Sequence, residues 1–342
     1  MRLRLLAAAG FLCALVSYAP VMQAGCGSAS CPLDLQSLNR PTLGGFTLDL
    51  SFQYIDLDQP RIGTDDASAG ELHGPHHDEV RTINRIATAT LGYAPTSRLQ
   101  LTAALPWISR THDHLASNHA HVNAFAPRAQ HNVLPEAWDI RGVGDVTLQA
   151  RFALREPDAI THSAWWIVGG VKLPTGDDSA TNDDGEVGEL PIQAGSGTTD
   201  GLVGISYEGG LLRHSRVSGA MGDVALLPYF FTATYQFRGG ANDGYRLGSE
   251  WQLNAGTAYA LGRHFEALLQ VNSRFRGKDT IEEEPEEGAF TGGTYVYASP
   301  GVRVPLGRGA VYALVQLPLY RDVNAIQLTS DANYIAGFQT RF

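Results

Sequence analysis

From Phe46 onward the chain alternates between apolar and polar side chains, with Phe46, Leu48, Leu50, Phe52 and Tyr54 on one parity and Thr47, Asp49, Ser51 and Gln53 on the other. Successive side chains of a strand point to opposite faces, so this stretch predicts a strand with one oily and one wet face. The same period recurs over 83–93, 99–107, 145–154, 165–173, 202–211, 227–237, 250–261, 265–275, 295–306, 311–320 and 328–342. Twelve strands result, with ten and fourteen as alternatives because Gly209-Gly210 interrupts the sixth and Pro300 falls in the tenth. In the second strand the parity fails at Arg85, which asks for a bulge or a position above the lipid.

Short connections at 94–97, 155–162, 262–264 and 307–309 alternate with long ones at 56–80, 109–143, 175–200, 238–249 and 276–294. An even number of antiparallel strands joined in this way predicts an all-β fold, a transmembrane up-and-down barrel with short periplasmic turns and long extracellular loops. Both termini then lie on the periplasmic side.

Composition supports a barrel over a helical membrane protein. The 342 residues include 38 Gly and are 44% hydrophobic, yet mean hydropathy is only -0.12, because alternation hides apolarity from an average. Residues 1–24 read as a secretory signal: a basic Met1-Arg2-Leu3-Arg4 start, an apolar run from Leu5 to Val16, and small residues up to Ala24. Residues 25–43 form a periplasmic tether or plug, and 44–342 the barrel. In the tether, Cys26 and Cys31 suit a disulfide in an oxidising compartment, with capture of a soft metal such as copper(I) as the alternative. The net charge of -10 argues against nucleic acid as a partner and for acidic outer loops.

Parity places Asp49, Asp145, Arg151, Lys172, Glu250, Glu266, Arg274, Arg303 and Arg341 on the inner face. Charges of both signs there either pair and fill the barrel or line a selective passage. Eight of the eleven histidines fall in the first two long connections: His73, His76, His77, His112, His114, His119, His121 and His131. Such clusters suit solvated loops and are also able to collect zinc, copper or nickel, although no spacing matches a closed zinc motif. The adjacent pairs His162-Ser163 and His214-Ser215 would point to opposite faces, so no catalytic constellation is expected.

Several stretches resemble the meta-pathway phenol-degradation family of outer-membrane proteins: Leu105-Pro106-Trp107-Ile108-Ser109-Arg110, Gly142-Val143-Gly144-Asp145-Val146-Thr147-Leu148, Gly170-Val171-Lys172-Leu173-Pro174-Thr175-Gly176-Asp177, and Leu317-Pro318-Leu319-Tyr320 through Phe342. The resemblance implies a barrel that passes small, often hydrophobic or aromatic compounds across the bacterial outer membrane. The aromatic-ended last segment likewise resembles strands read by the outer-membrane assembly machinery, and lipid and lipopolysaccharide are the other expected partners. The alternative expectation is a non-transporting barrel that binds metal or a partner through its histidine-rich loops.

Overall fold

The computed structural model describes Leu33 and residues 43–69, 71, 78–117, 133–214, 224–262, 264–282, 285 and 287–342. Residues 1–24, expected as a secretory signal, and Cys26, Cys31 and the six histidines His73, His76, His77, His119, His121 and His131 lie outside the described residues.

Twelve strands close into one antiparallel barrel. They are β1 (Phe46–Leu57), β2 (Asp78–Thr96), β3 (Leu99–Ser117), β4 in two segments (Val133–Val143 and Val146–Ala153), β5 (Ala164–Leu173), β6 (Asp200–His214), β7 (Val224–Phe237), β8 (Glu250–Ala260), β9 (Glu266–Arg276), β10 (Gly293–Leu306), β11 (Gly309–Thr329) and β12 (Asn333–Arg341). Each pairs with its sequence neighbours, and β1 closes the ring on β12 from Thr47 opposite Arg341 to Ile55 opposite Asn333. Closure pairs both edges of the membrane-level strands, which a lipid environment requires; above it the Val133–Val143 segment pairs with β3 alone.

Alternation decides what each face meets. Leu50, Phe52, Leu148, Phe152, Ile167, Val203, Ile205, Leu269 and Val302 are exposed on the outside. Two aromatic girdles bound this band. At the periplasmic end Phe46 stacks on Tyr93 at 4.5 Å and on Phe342 at 5.9 Å, and Trp165 leans on Tyr207 at 4.7 Å. At the outer end Tyr235 packs on Trp251 at 4.9 Å. Arg85 keeps the outward parity of its strand and stacks 5.8 Å over the Tyr54 ring, and the β2–β3 register is unbroken from Arg81 to Tyr93. The bulge expected as one explanation is therefore absent there, and an interfacial position explains the charge.

Three expectations need correction. The strands overshoot the bilayer, so β3 runs to Ser117 and β4 begins at Val133 where a loop over 109–143 was expected. Above the girdle the outward residues are Ser109, Thr111 and Asp113, and water on both faces erases the amphipathic signal. His112 and His114 therefore sit on a strand rather than in a loop. For the same reason β11 extends to Thr329, and β12 starts at Asn333 instead of 328. Its extension pairs with a short strand, Gln59–Gly63, in the first outer connection.

One irregularity shapes the interior. Val143 opposes Trp107, but Thr147 opposes Ala104, so β4 carries one extra residue around Gly144-Asp145. Inward parity consequently switches from Trp138 and Ile140 above the bulge to Arg151 and Ala153 below it.

Candidate functional site: the barrel interior

The inner face is polar and tightly paired. On its β8–β10 side Asn272 donates to Asn254 at 2.7 Å and Ser299 donates to Asn272 at 2.6 Å. Tyr312 on β11 reaches across β12 to Asp49 on β1, its hydroxyl 3.0 Å from each carboxylate oxygen. That reach requires Gly337, where a Cβ would lie 2.4 Å from the tyrosine ring. Apolar patches interrupt the polar wall, among them Ala153, Ala164 and Trp166 on one side, and Ala258, Leu268, Tyr312, Leu314 and Ile335 on the other. Leu33 packs against the second.

Every inward charge expected from parity is buried or half-buried in the interior or lines its periplasmic mouth. Six charges alternate in sign around the outer end of the wall. Asp145 meets Lys172 at 2.8 Å, Lys172 meets Asp200 at 3.1 Å, Asp200 meets Arg238 at 2.6 Å, Arg238 approaches Glu250 at 3.6 Å, and Glu250 meets Arg274 at 2.7 Å. Deeper in, Arg151 pairs with Glu208 and lies 5.1 Å over the Trp166 ring. A buried charge without a partner costs several kcal/mol, so this ladder is what lets so many ionic groups face inward. Sequence reasoning missed Asp200, Glu208 and Arg238. Glu208 shares its parity with Ser206 and was legible; Asp200 and Arg238 stand at or beyond strand ends, where no alternation reports direction.

The outer mouth is crossed by chain. The connection from β5 to β6, expected as a solvated acidic loop, is exposed only in its first half; Gly188 to Ser196 are all buried. A short 3-10 turn, Leu190–Ile192, lies at the centre of this strut. On one side Ile192 and Ala194 pack on Ile108, Trp138 and Ile140 of β3 and β4. On the other, Leu190 packs on Tyr245 and Ile281, from the connections following β7 and β9.

Hydrogen bonds fix the strut at both legs and at its middle. Asp145, at the β4 bulge, accepts from the Gly176 and Ser196 backbone amides at 3.0 Å each and from the Ser196 hydroxyl at 2.8 Å. Gly176 and Gly195 touch so closely that a Cβ on Gly195 would stand 2.4 Å from the Gly176 carbonyl. Arg110, buried on β3, donates to the carbonyls of Pro191 and Gln193 at 3.1 Å and also to that of Ile192. Its Nε is held by Asn84. Beyond the strand ends, Tyr245 donates to Asp279 at 2.7 Å. Burial, reinforced by the Asp279 carboxylate, pushes the Tyr245 hydroxyl well above its ordinary pKa and keeps it a donor.

Beside Arg110 the two strand histidines are buried, His112 at 0% and His114 at 2% exposure. The His112 Nδ1 lies 2.7 Å from the Thr82 hydroxyl and the His114 Nε2 lies 2.7 Å from Glu136. Both rings pack on Trp138, at 6.1 and 4.7 Å. Among the described residues no three histidine, cysteine or carboxylate side chains converge as a metal-ligand group. His162 lies in the β4–β5 turn with a positive φ of 55°.

At the periplasmic end a cavity of about 480 Å³ opens among Glu266, Arg303, Arg308, Gln339, Arg341 and Phe342. Here Arg303 pairs with Glu266 at 2.5 Å.

No protein-family model matches the chain, and no curated protein matches it. Solved structures do. An outer-membrane channel from Pseudomonas putida F1 aligns at a TM-score of 0.56 and 13% identity, over 91% of this chain and 100% of that one. The Ralstonia pickettii toluene transporter TbuX aligns at 0.41 and 11% identity over 94% and 99%, and the monoaromatic hydrocarbon channel CymD at 0.41 and 12% over 93% and 96%. The first likeness is one of fold, and the other two scores are too low to carry an argument. Closed barrel, lipid-facing band and fold likeness together make the chain a β-barrel of the bacterial outer membrane.

Proposed function

We propose that the barrel passes a small solute with an apolar, aromatic body across the outer membrane. One observation carries the reading: the inner wall holds apolar patches within a polar, ion-paired surface, between a strut at the outer mouth and a cavity at the periplasmic one. A wall that served only to fill the barrel gains nothing from leaving a cavity of this size, whereas such volumes are typical of small-molecule sites, roughly 300–1,000 Å³. Paired charges give a passage that is wet without being sticky to a neutral ring, and the patches offer that ring places to rest.

The experiment is reconstitution of the full chain in planar bilayers and liposomes. The expected result is discrete conductance steps and permeation of small aromatics such as phenol or toluene. A barrel that shows no steps and adds nothing to solute entry would overturn the proposal and favour a surface-binding role.

A further inference from the structure

We infer that the outward face of β1 to β4, just above the outer girdle, is a docking site for the phosphate headgroup of an outer-leaflet lipopolysaccharide, held by Arg85 and Arg141 on either side of Ser109.

Register sets the geometry. Tyr54 of β1 stands opposite Arg85 of β2, Arg85 opposite Ser109 of β3, and Ser109 opposite Arg141 of β4. Their chain neighbours Ile55, Asn84, Ile108, Arg110 and Ile140 are buried in the interior, so these four side chains share the outer surface. The next row toward the hydrocarbon holds Ala87, Trp107 and Val143, with Trp107 exposed. Arg85 and Arg141 thus rise from strands about 10 Å apart, two strand spacings, with a hydroxyl midway between them. Both side chains are able to converge on one phosphate over Ser109.

The face is neutral as a whole, since Arg81, Arg85 and Arg141 are matched in number by Asp56, Asp113 and Asp139. Its charges are sorted by row instead. Asp56 and Asp139 stand one row further from the membrane, with Ile83 and Thr111 between them, and Arg81 and Asp113 stand in the row beyond. Arg81 is taken up by Asp56 at 2.6 Å and has Asp113 opposite it. Arg141 pairs with Asp139 at 2.7 Å, but the two side chains are 66% and 54% exposed, and so open a pair is easily exchanged. Arg85 forms no ion pair among the described residues; it stacks on Tyr54 and feels Asp56 only at longer range.

Cation nearest the hydrocarbon and acid nearest the water is the order that an anionic headgroup calls for. Exposed tryptophan marks headgroup level, so guanidinium groups one row above Trp107 meet lipid phosphate. This end of the barrel faces the outer leaflet, whose lipid is lipopolysaccharide. Two guanidinium forks and a hydroxyl offer charge-assisted bonds to its phosphate oxygens, which a zwitterionic headgroup carrying its own cation uses less well. Across the barrel the outward row through Tyr235, Trp251, Phe275, Thr294 and Asp322 contains no cation. The lipid is therefore held on one side of the wall.

The test uses the full chain in mixed micelles with fluorescent bis-phosphorylated lipid A as probe. Competitors are unlabelled lipid A, phosphatidylglycerol, phosphatidylethanolamine and inorganic phosphate. Wild-type protein should bind the probe saturably and release it to lipid A ahead of the other three. R85Q/R141Q should weaken binding about fivefold for each charge removed. D139N should strengthen it by freeing Arg141, and R246Q/K278Q, which alters exposed cations of the outer connections, should leave it unchanged. Heat-modifiable mobility checks folding, and D139N, which keeps both arginines, decides alone if the double variant misfolds. Equal affinity in wild type and R85Q/R141Q, an equal loss in R246Q/K278Q, or weaker binding in D139N overturns the site. Displacement by phosphatidylglycerol or inorganic phosphate as effective as by lipid A overturns it as well, leaving a general anion surface.

Discussion

Removing the Arg110 side chain tests whether the strut controls the outer mouth. Its Nη1 faces three strut carbonyls, of Pro191, Ile192 and Gln193, but carries only two hydrogens, so at most two strong bonds are made at once. A hydrogen bond to a charged group contributes a net 1.5–3 kcal/mol or so, and the two share one donor atom, so a loss of about 3 kcal/mol is a fair figure for Arg110→Ala. At about 1.4 kcal/mol per decade, the ratio of docked to undocked strut should fall roughly a hundredfold. Asp145 and the Ile192 and Ala194 contacts would still hold the strut, so the expected state is a fluctuating mouth rather than an open one. Two readouts follow. Single-channel records should gain larger, noisier steps, with Arg110→Lys between the variant and wild type because it retains charge but not the fork. Independently of conduction, a cysteine at Ile192, a position 1% exposed, should resist maleimide in an otherwise wild-type chain and react once Arg110→Ala is added. Equal protection of that thiol in both backgrounds, with unchanged step sizes, would refute the assignment of Arg110 as the latch.

Gly195→Ala should loosen the same strut from its leg, because the new Cβ collides with Gly176 backbone instead of a movable side chain, and the Ile192 thiol assay should report it. Arginine at Leu148 or Phe152 on the lipid face should cost about 2–4 kcal/mol near the bilayer midplane, and the same change at Thr147 or Gln149 much less; equal losses of heat-modifiable folding would sink the register. In the β4–β5 turn, the Thr161 and Ile160 amides and the Thr161 hydroxyl hold the Asp158 carboxyl below the ordinary carboxylate value. The sign follows from that depression: the turn is fully supported above the unfolded pKa and loosens as pH falls through the folded one, so protease nicking there should rise only under acid, and Asp158→Asn should abolish the dependence.

Strand number and facing were readable because lipid and lumen impose opposite demands on alternate residues, as Phe46 through Tyr54 display. That reading ended at the aromatic girdle. Over Ser109, Thr111 and Asp113 the outer face meets water, and nothing in the residue types separates a protruding strand from a loop. His112 and His114 were thus placed in a long connection although they stand on β3 with rings buried against Trp138. Gly188 to Ser196 offered no period either, since the segment is covered on all sides by different partners: β3 and β4 on one flank, Tyr245 and Ile281 on the other. The acidic run before it has the exposed composition that the whole connection was expected to share. Ion partners depended on which strands neighbour each other, so Asp145 with Lys172 lay within reach of parity, whereas Lys172 with Asp200 required the β5–β6 pairing.

The extra residue at Gly144 separates the barrel into two storeys whose inner surfaces are set independently. Removing it would let the upper part of β4 slide by one position while the lower part stayed in register. Trp138 and Ile140 would turn outward, and Asp139 and Arg141 would face the strut in their place. A single-codon deletion or insertion at this point is therefore a hinge in sequence space. It can re-face the outer vestibule wholesale while the membrane-embedded wall below stays in register.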